Sequence, residues 1–169
     1  MPTLLRSNVK VWTQQSVLDY IETESDRAFP NETGGILFGY WSSDESGVVI
    51  LHATGPGPDA RHRSFGFTPD AAYHEAEVAR LYSLSNRRGT YLGDWHTHPN
   101  CTFAALSRRD RRTMRTIARC KEARAPRPLM LLLSGELGNW HPTIWCMRIK
   151  RLGRLPLFHD THCLALTIY

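Results

Sequence analysis

A chain of 169 residues, 41% hydrophobic and 22% charged, can bury the core of one compact domain but not of two, and its composition excludes an intrinsically disordered protein. The longest strongly apolar run, Leu129 to Leu133, is much shorter than the roughly 20 residues of a membrane span, and no apolar run follows Arg6 and Lys10 as in a secretory signal peptide. The net charge is +5 and the four cysteines have no CxxC spacing. We therefore expect one cytoplasmic domain over residues 1–169, with reduced thiols and no membrane contact.

Segments with helical spacing of apolar residues are mixed with short apolar segments typical of strands. Val17, Leu18 and Ile21 define the first helix, and Thr68-Pro69-Asp70 supplies a cap and a first-turn proline for the second. In chain order the predicted elements are a helix at 14–28, strands at 33–41, 48–53 and 64–67, a helix from 68 to 84, a strand at 90–96, a helix at 107–123, and strands at 129–134, 140–150 and 164–169. Because helices and strands do not alternate strictly, we predict one α/β or α+β domain with a layered sheet and three helices.

The segment from Gly93 to Asp110 carries the strongest functional signal. Residues two apart on a strand point to the same face, so His96 and His98 can converge on one ion. Asp110 adds a carboxylate if the loop after the strand folds back over the strand end. Two imidazoles and one carboxylate predict a zinc site that leaves a fourth position open for water, as catalytic sites require.

Two further residues have the types that hydrolysis at such a site needs. Glu32 stands beside Gly34 and Gly35, where glycine permits close approach of backbone and substrate, and it is the candidate general base. Ser107, one turn before Asp110, can donate a hydrogen bond to a developing oxyanion. The pattern Ser107-x-x-Asp110 is also typical of a helix capping box, and the two roles are compatible because a capping serine is held rigidly.

These elements occur in an order that resembles the JAMM motif of the JAB/MPN metallopeptidases. The matching pieces are Glu32 with Gly34-Gly35, His96-Thr-His98-Pro99 and Ser107-x-x-Asp110, and the prokaryotic branch is further resembled by Gly55-Pro-Gly-Pro-Asp-Ala60, Ser64-Phe65 and Thr68-Pro69-Asp70. The resemblance implies that His96, His98 and Asp110 bind zinc, that Glu32 is the base and that Ser107 assists the tetrahedral intermediate. It also implies a mixed sheet flanked by about three helices, similar to that of the cytidine deaminases. One departure is that eight residues separate His98 from Ser107, where the family pattern usually has seven.

The resemblance also implies a substrate class. Members of the family cleave isopeptide or peptide bonds after the C-terminus of ubiquitin or ubiquitin-like proteins, and bacterial relatives occur in antiviral systems beside cyclic-nucleotide signalling enzymes. We therefore expect a zinc-dependent isopeptidase whose partner is a ubiquitin-like protein or its conjugate. The substrate tail would pair as an extended strand beside Leu37, while Trp95 either packs in the core or shapes the groove wall. The alternatives are a catalytically silent scaffold of the same fold and a hydrolase of sulfur-carrier protein adducts.

Two sequence features stand outside this motif. The segment from Arg108 to Arg127 holds nine basic residues against two acidic ones, a net of +7, so the rest of the chain has a net charge of −2. It is either a solvated helix face or a docking surface for an acidic partner. Contact with nucleic acid is the least favoured interpretation because no aromatic residues interleave with the arginines. His159-x-x-His162-Cys163 is either a structural cluster or a second metal site that lacks a fourth ligand.

Overall fold

The computed structural model describes residues 9–102, 105–152 and 155–169. These residues form three helices and nine strands. In chain order they are β1 (Lys10–Thr13), α1 (Gln15–Ala28), β2 (Gly34–Trp41), β3 (Gly47–Ala53), β4 (Arg61–Arg63), β5 (Gly66–Thr68), α2 (Ala71–Leu84), β6 (Thr90–Pro99), α3 (Arg108–Arg119), β7 (Leu129–Glu136), β8 (Asn139–Leu152) and β9 (Leu155–Ile168). The predicted α+β class with three helices is confirmed.

Seven of the strands close into a barrel in the order β1-β3-β2-β6-β7-β8-β9, and β9 pairs with β1. The pairs β1–β3, β1–β9 and β6–β7 are parallel and the other pairs in the barrel are antiparallel. The sequence predicted a mixed sheet but not its closure, which requires the short strand β1 that was not predicted. Strands β4 and β5 form a separate two-stranded sheet, which we call the small hairpin.

Strand β7 explains how the core is divided. Its apolar run is buried on both faces, as is usual for a strand in the middle of a sheet covered on both sides. Leu129, Leu131 and Leu133 pack into the main core with α1 and the inward residues of the other strands. Met130 and Leu132 point the other way and pack with Met114 and Leu106 beneath α3. The barrel therefore holds α3 on its outer face through this second cluster.

Helix α2 begins two residues later than predicted. Asp70 rather than Thr68 is its N-cap, and the Asp70 carboxylate accepts a hydrogen bond from the backbone N–H of Tyr73 at 3.0 Å. Helix α3 ends at Arg119 rather than at residue 123, and turns that lead to Pro126 follow it. The predicted strand at 64–67 is the small hairpin, and the predicted strand at 164–169 is the end of the much longer β9. No helix in the described ranges combines the length and the apolar character needed to cross a membrane.

Strands β2 and β6 approach closely because Gly34 and Gly35 carry no side chains. Gly34 pairs with His96 and Gly35 with Trp95 in antiparallel register. A Cβ atom on Gly35 would lie 1.9 Å from the carbonyl oxygen of Thr54, and one on Gly34 would lie 2.4 Å from that of Trp95. The glycine pair thus fixes the distance between the strand that begins next to Glu32 and the strand that carries the two histidines.

We expect Gly35→Ala to lower the free energy of unfolding by about 1–3 kcal/mol, because backbone atoms rather than a flexible side chain occupy the space that the new methyl group needs. The matched control is Gly66→Ala, where the one close atom is the guanidinium end of Arg109 at 2.9 Å, which can move aside. Chemical denaturation of both variants measures the difference. Equal stabilities would show that the packing of Gly35 against the Thr54 backbone is not tightly constrained.

Candidate metal centre and adjoining cleft

Strand β6 presents its alternate residues to two different environments. Trp95 and Thr97 are fully buried, whereas Asp94, His96 and His98 on the other face are only partly covered. The two imidazoles therefore point the same way, as predicted from their spacing, and their Nε2 atoms lie 3.1 Å apart. The strand thus delivers two nitrogen ligands to one point.

Asp110 reaches the histidines from the first turn of α3. Its Oδ2 accepts a hydrogen bond from the backbone N–H of Ser107 at 2.6 Å, and the Ser107 Oγ accepts one from the backbone N–H of Asp110 at 3.1 Å. This reciprocal pair is a capping box. The cap fixes the carboxylate so that Oδ1 lies 3.2 Å from His96 Nε2 and Oδ2 lies 3.7 Å from His98 Nε2. The additional loop residue does not prevent this arrangement.

These distances fit a single metal ion. Ligand atoms about 2.0–2.1 Å from a tetrahedral zinc ion lie about 3.3 Å from one another, and the three separations here cluster around that value. Among the described side chains, His96, His98 and Asp110 form the one group of three or more metal-ligand types gathered in this way. Two imidazoles and one carboxylate are also a donor set suited to a catalytic metal with an open position.

The surroundings of Asp110 and His98 favour the protonation states that metal binding requires. Burial favours a raised pKa for Asp110, but hydrogen bonds from His96 and Ser107 and the charge of His96 outweigh it and hold the pKa of this carboxyl well below its ordinary value. Burial, assisted by the neighbouring His96, lowers the pKa of His98. Asp110 is therefore anionic and His98 neutral near physiological pH, the protonation states in which both bind metals.

Glu32 lies in the same cleft as His96 and Asp110. Burial raises the pKa of Glu32, the charge of His96 opposes that shift and the charge of Asp110 adds to it. A carboxylate with a raised pKa is closer to the range in which it can both take and return a proton near neutral pH. The structure thus brings Glu32, His96, His98, Ser107 and Asp110 to one region of the surface.

The small hairpin and α3 hold the backbone around Glu32. The Glu32 N–H donates to the carbonyl of Arg63 at 2.8 Å, and a ring nitrogen of His62 lies 3.0 Å from the Glu32 carbonyl oxygen. On the other strand, the Arg109 guanidinium donates to the carbonyl of Phe67 at 3.0 Å. The hairpin is therefore fixed to Glu32 on one side and to α3 on the other.

A cleft of about 870 Å³ extends from these residues between α2 and α3. Its floor is formed by β2 and β6, and its walls are largely apolar, with Val78, Tyr82 and Ile117 among the lining residues. Two lining residues that the sequence analysis did not single out are Asp94 and Tyr91, whose hydroxyl donates to the Asp94 carboxylate at 2.6 Å. The position of Asp94 could have been predicted from the sequence, because Asp94 shares the period-two spacing of His96 and His98.

The expected substrate contact at Leu37 is wrong. Its side chain is 0% exposed and lies in the main core, and both edges of β2 are already paired, with β3 and with β6. An added strand therefore finds no free backbone groups there. Trp95 is also 0% exposed, and its indole N–H donates to the carbonyl of Thr54 at 2.8 Å. It packs in the main core and also lies against the cleft. The neighbours of Leu37, Ile36 and Phe38, line the cleft as well.

The histidine cluster near the C-terminus does not form a described metal site. His162 lies 3.2 Å from Asp160 through its Nε2 atom, and Cys163 is exposed. The side chain of His159 lies outside the described part of the structure. The described partners give His162 a carboxylate contact rather than a set of metal ligands.

Comparison with known proteins identifies related sequences. A sequence family described as prokaryotic homologs of the JAB domain matches residues 14–149. A protein of Sinorhizobium fredii named as a probable metalloprotease, y4qB, is 41% identical over 158 residues, which cover 94% of each chain.

Two further comparisons connect the chain to an isopeptidase and to a solved structure. A protein of Enterobacter hormaechei named CD-NTase/cGAS isopeptidase is 31% identical over 125 residues, covering 72% of this chain and 65% of the relative. The solution structure of protein DSY2949 from Desulfitobacterium hafniense superposes with a TM-score of 0.62 at 17% identity and covers 94% of both chains. At that identity the likeness concerns the fold alone.

We expect His98→Ala to weaken binding of a divalent metal by more than the roughly 10–100-fold that loss of an outer hydrogen-bond partner costs, because it removes a ligand from the ion itself. The control is His52→Ala, which removes an exposed histidine on β3 outside the three-residue group. Elemental analysis and titration calorimetry of the purified proteins measure the effect. Equal metal content in both variants would contradict the assignment of the site.

Proposed function

The chain belongs to the family of prokaryotic homologs of the JAB domain, and we propose that it is a zinc-dependent isopeptidase that cleaves after the C-terminus of a ubiquitin-like protein. The single observation that carries the proposal is the convergence of His96, His98 and Asp110 with a carboxylate of raised pKa, Glu32, in the same cleft. The metalloprotease and isopeptidase names of the relatives support a peptidase activity. A complete ligand set argues against a silent scaffold.

Three residues would hold the metal. His96 and His98 offer their Nε2 atoms and Asp110 its carboxylate oxygens. When bound there, zinc supplies a Lewis acid that polarises a carbonyl and lowers the pKa of water. The capping box keeps the Asp110 carboxylate oriented whether or not a substrate is present, because both of its hydrogen bonds lie within α3.

Glu32 is the proposed general base. It takes the proton of the attacking water and transfers it to the leaving amine, so its carboxyl alternates between two protonation states in each turnover. A pKa raised by burial helps both transfers, because an ordinary glutamate holds a proton too weakly near neutral pH to deliver it. The hydrogen bonds that hold its backbone to the small hairpin limit the positions that its side chain can reach.

Ser107 is the proposed donor to the oxyanion. Its Oγ already accepts the hydrogen bond from the Asp110 N–H, and a hydroxyl has one hydrogen to donate besides the lone pairs with which it accepts. We propose that this hydrogen turns to the oxyanion during the reaction. Ser107 is exposed and fixed at the helix start, so it can stabilise a charge that develops above the metal ligands.

The substrate assignment rests on the cleft and on the relatives. The cleft is long and mostly apolar, which suits an extended protein tail more than a small polar amide. The Enterobacter hormaechei relative is named as an isopeptidase and in connection with a CD-NTase. This name supports the setting that the family resemblance implies, a conjugation system beside a cyclic-nucleotide signalling enzyme in antiviral defence.

We expect Glu32→Gln to bind zinc like the unaltered protein but to lose at least about 100-fold in kcat, because the water then has no base. The measurement is cleavage of fusions in which each ubiquitin-like protein of the host genome precedes a fluorescent protein. Glu75→Gln, which removes another carboxylate that lines the cleft, is the control and should retain most activity.

Two results would count against the proposal. A Glu32→Gln enzyme as fast as the control would exclude Glu32 as the base. If the zinc-loaded protein cleaves none of the fusions, the result would favour a scaffold without activity or a hydrolase of sulfur-carrier protein adducts.

A further inference from the structure

The exposed side of α3 carries five arginines in a single stripe, which we call the arginine face. At about 100° per residue, these five side chains fall within an arc of about 100° opposite the buried Asp110 and Met114. All five are exposed. They are Arg108, Arg111, Arg112, Arg115 and Arg119.

No acidic group within the fold compensates this charge. Among the described residues, none of the five arginines forms an ion pair with a carboxylate. The ion pairs of other arginines involve Arg27, Arg80 and Arg127. Arg111 donates to the Thr161 hydroxyl at 2.7 Å and Arg115 to a backbone carbonyl of α3 at 3.1 Å, which leaves their charges unneutralised.

Most of the stripe is unfavourable for α3 in the isolated protein. Like charges three or four residues apart on a helix repel each other, and Arg108 in the first turn opposes the helix dipole, whereas Arg119 in the last turn favours it. An anionic surface bound from outside would offset the repulsion between the arginines. Arg127, the last basic residue of the segment, differs from the arginine face, because it pairs with Glu45 and stacks 4.2 Å from the centre of the Trp41 ring.

The arginine face is continuous with the cleft. A depression of about 570 Å³ on α3 is lined by Arg108, Arg109 and Arg112 together with Thr113, Thr116 and Ile117. Arg109 and the last three residues also line the cleft. A protein whose tail occupies the cleft therefore passes directly over α3.

We propose that the arginine face docks an acidic surface on the body of the protein whose tail enters the cleft. The inference rests on the proposed function for the identity of the partner, but the charge and the position of the surface are independent of catalysis. A protein is the favoured partner, because single-stranded nucleic-acid binding combines cationic residues with aromatic stacking and α3 contains no aromatic residue. The docking contact contributes to substrate affinity and leaves the chemical step unchanged.

The first test measures binding of a fluorescein-labelled polyglutamate peptide to the zinc-loaded protein. The test variant is Arg112→Gln/Arg119→Gln, whose arginines lie two turns apart, and glutamine has a helix propensity close to that of arginine. The control is Lys10→Gln/Arg88→Gln, which removes the same charge from exposed residues on β1 and on the loop after α2. We expect the test variant to bind about tenfold more weakly and the control to change by less than about twofold.

A DNA duplex of the same net charge is the second probe. Binding of the peptide that is equal in the two variants would overturn the proposal. Tighter binding of the duplex than of the peptide, lost in the same test variant, would assign the face to nucleic acid and would also overturn it. The thermal midpoint separates docking from a structural role, because relief of repulsion leaves the test variant at least as stable as the parent, whereas loss of a structural contact lowers the midpoint.

Kinetics on a fusion that the enzyme cleaves provide the second readout. We expect Arg112→Gln/Arg119→Gln to raise KM with kcat unchanged, and added salt to raise KM of the parent but much less that of the variant. A variant that lowers kcat with KM unchanged would refute the docking role. If no fusion is cleaved, the proposed function fails, while the peptide experiment still decides the binding property of the arginine face.

Discussion

The reciprocal hydrogen bonds between Ser107 and Asp110 determine much of this structure. These two hydrogen bonds cap the start of α3. They also direct the Asp110 carboxylate toward His96 and His98. The helix cap and the candidate ligand set are therefore one physical feature. Ser107 takes part in the cap through its backbone N–H, which donates to the Asp110 carboxylate, and through its Oγ, which accepts from the Asp110 N–H. The structure thus contains the capping box that the sequence pattern predicted.

The close approach of β2 and β6 positions Glu32, which lies across the site from α3. Gly34 lies directly across from His96, and a side chain at Gly34 would collide with the backbone of Trp95 and with the His96 Cβ. This contact sets the position of Glu32, two residues earlier, relative to the metal ligands. The small hairpin then holds the Glu32 backbone from the other direction through Arg63 and His62. The candidate ligands and the candidate base are thus carried by different elements, and Gly34 permits the close approach of the two strands.

Local patterns in the sequence predicted the helices, most strands and the shared direction of His96 and His98, because period-two spacing and a capping box are short-range features. That Glu32 and Asp110 join them was expected from the resemblance to the JAMM motif. The closure of the barrel depends on pairing between β1 and β9, which lie at opposite ends of the chain, and no local pattern encodes it. The error at Leu37 has a related cause. The run Ile36-Leu37-Phe38 is buried on both faces of the sheet, so apolar character alone could not say which residues face the cleft. Asp94 was not predicted, although the period-two alternation of His96 and His98 extends to it.

The two faces of α3 place opposing electrostatic demands on one helix. Asp110 in the first turn favours the helix dipole and the capping box contributes about 0.5–2 kcal/mol, whereas each pair of like charges on the arginine face costs about 0.2–0.5 kcal/mol. The summed repulsion of several such pairs is comparable in magnitude to the stabilisation by the cap. The first turn of α3 is therefore held by the cap together with the apolar cluster that contains Met114. An acidic partner on the outer face would offset the repulsion between the arginines. The cap holds the Asp110 carboxylate whether or not that face is occupied, so docking would add to the stability of α3 without rearranging the candidate ligands.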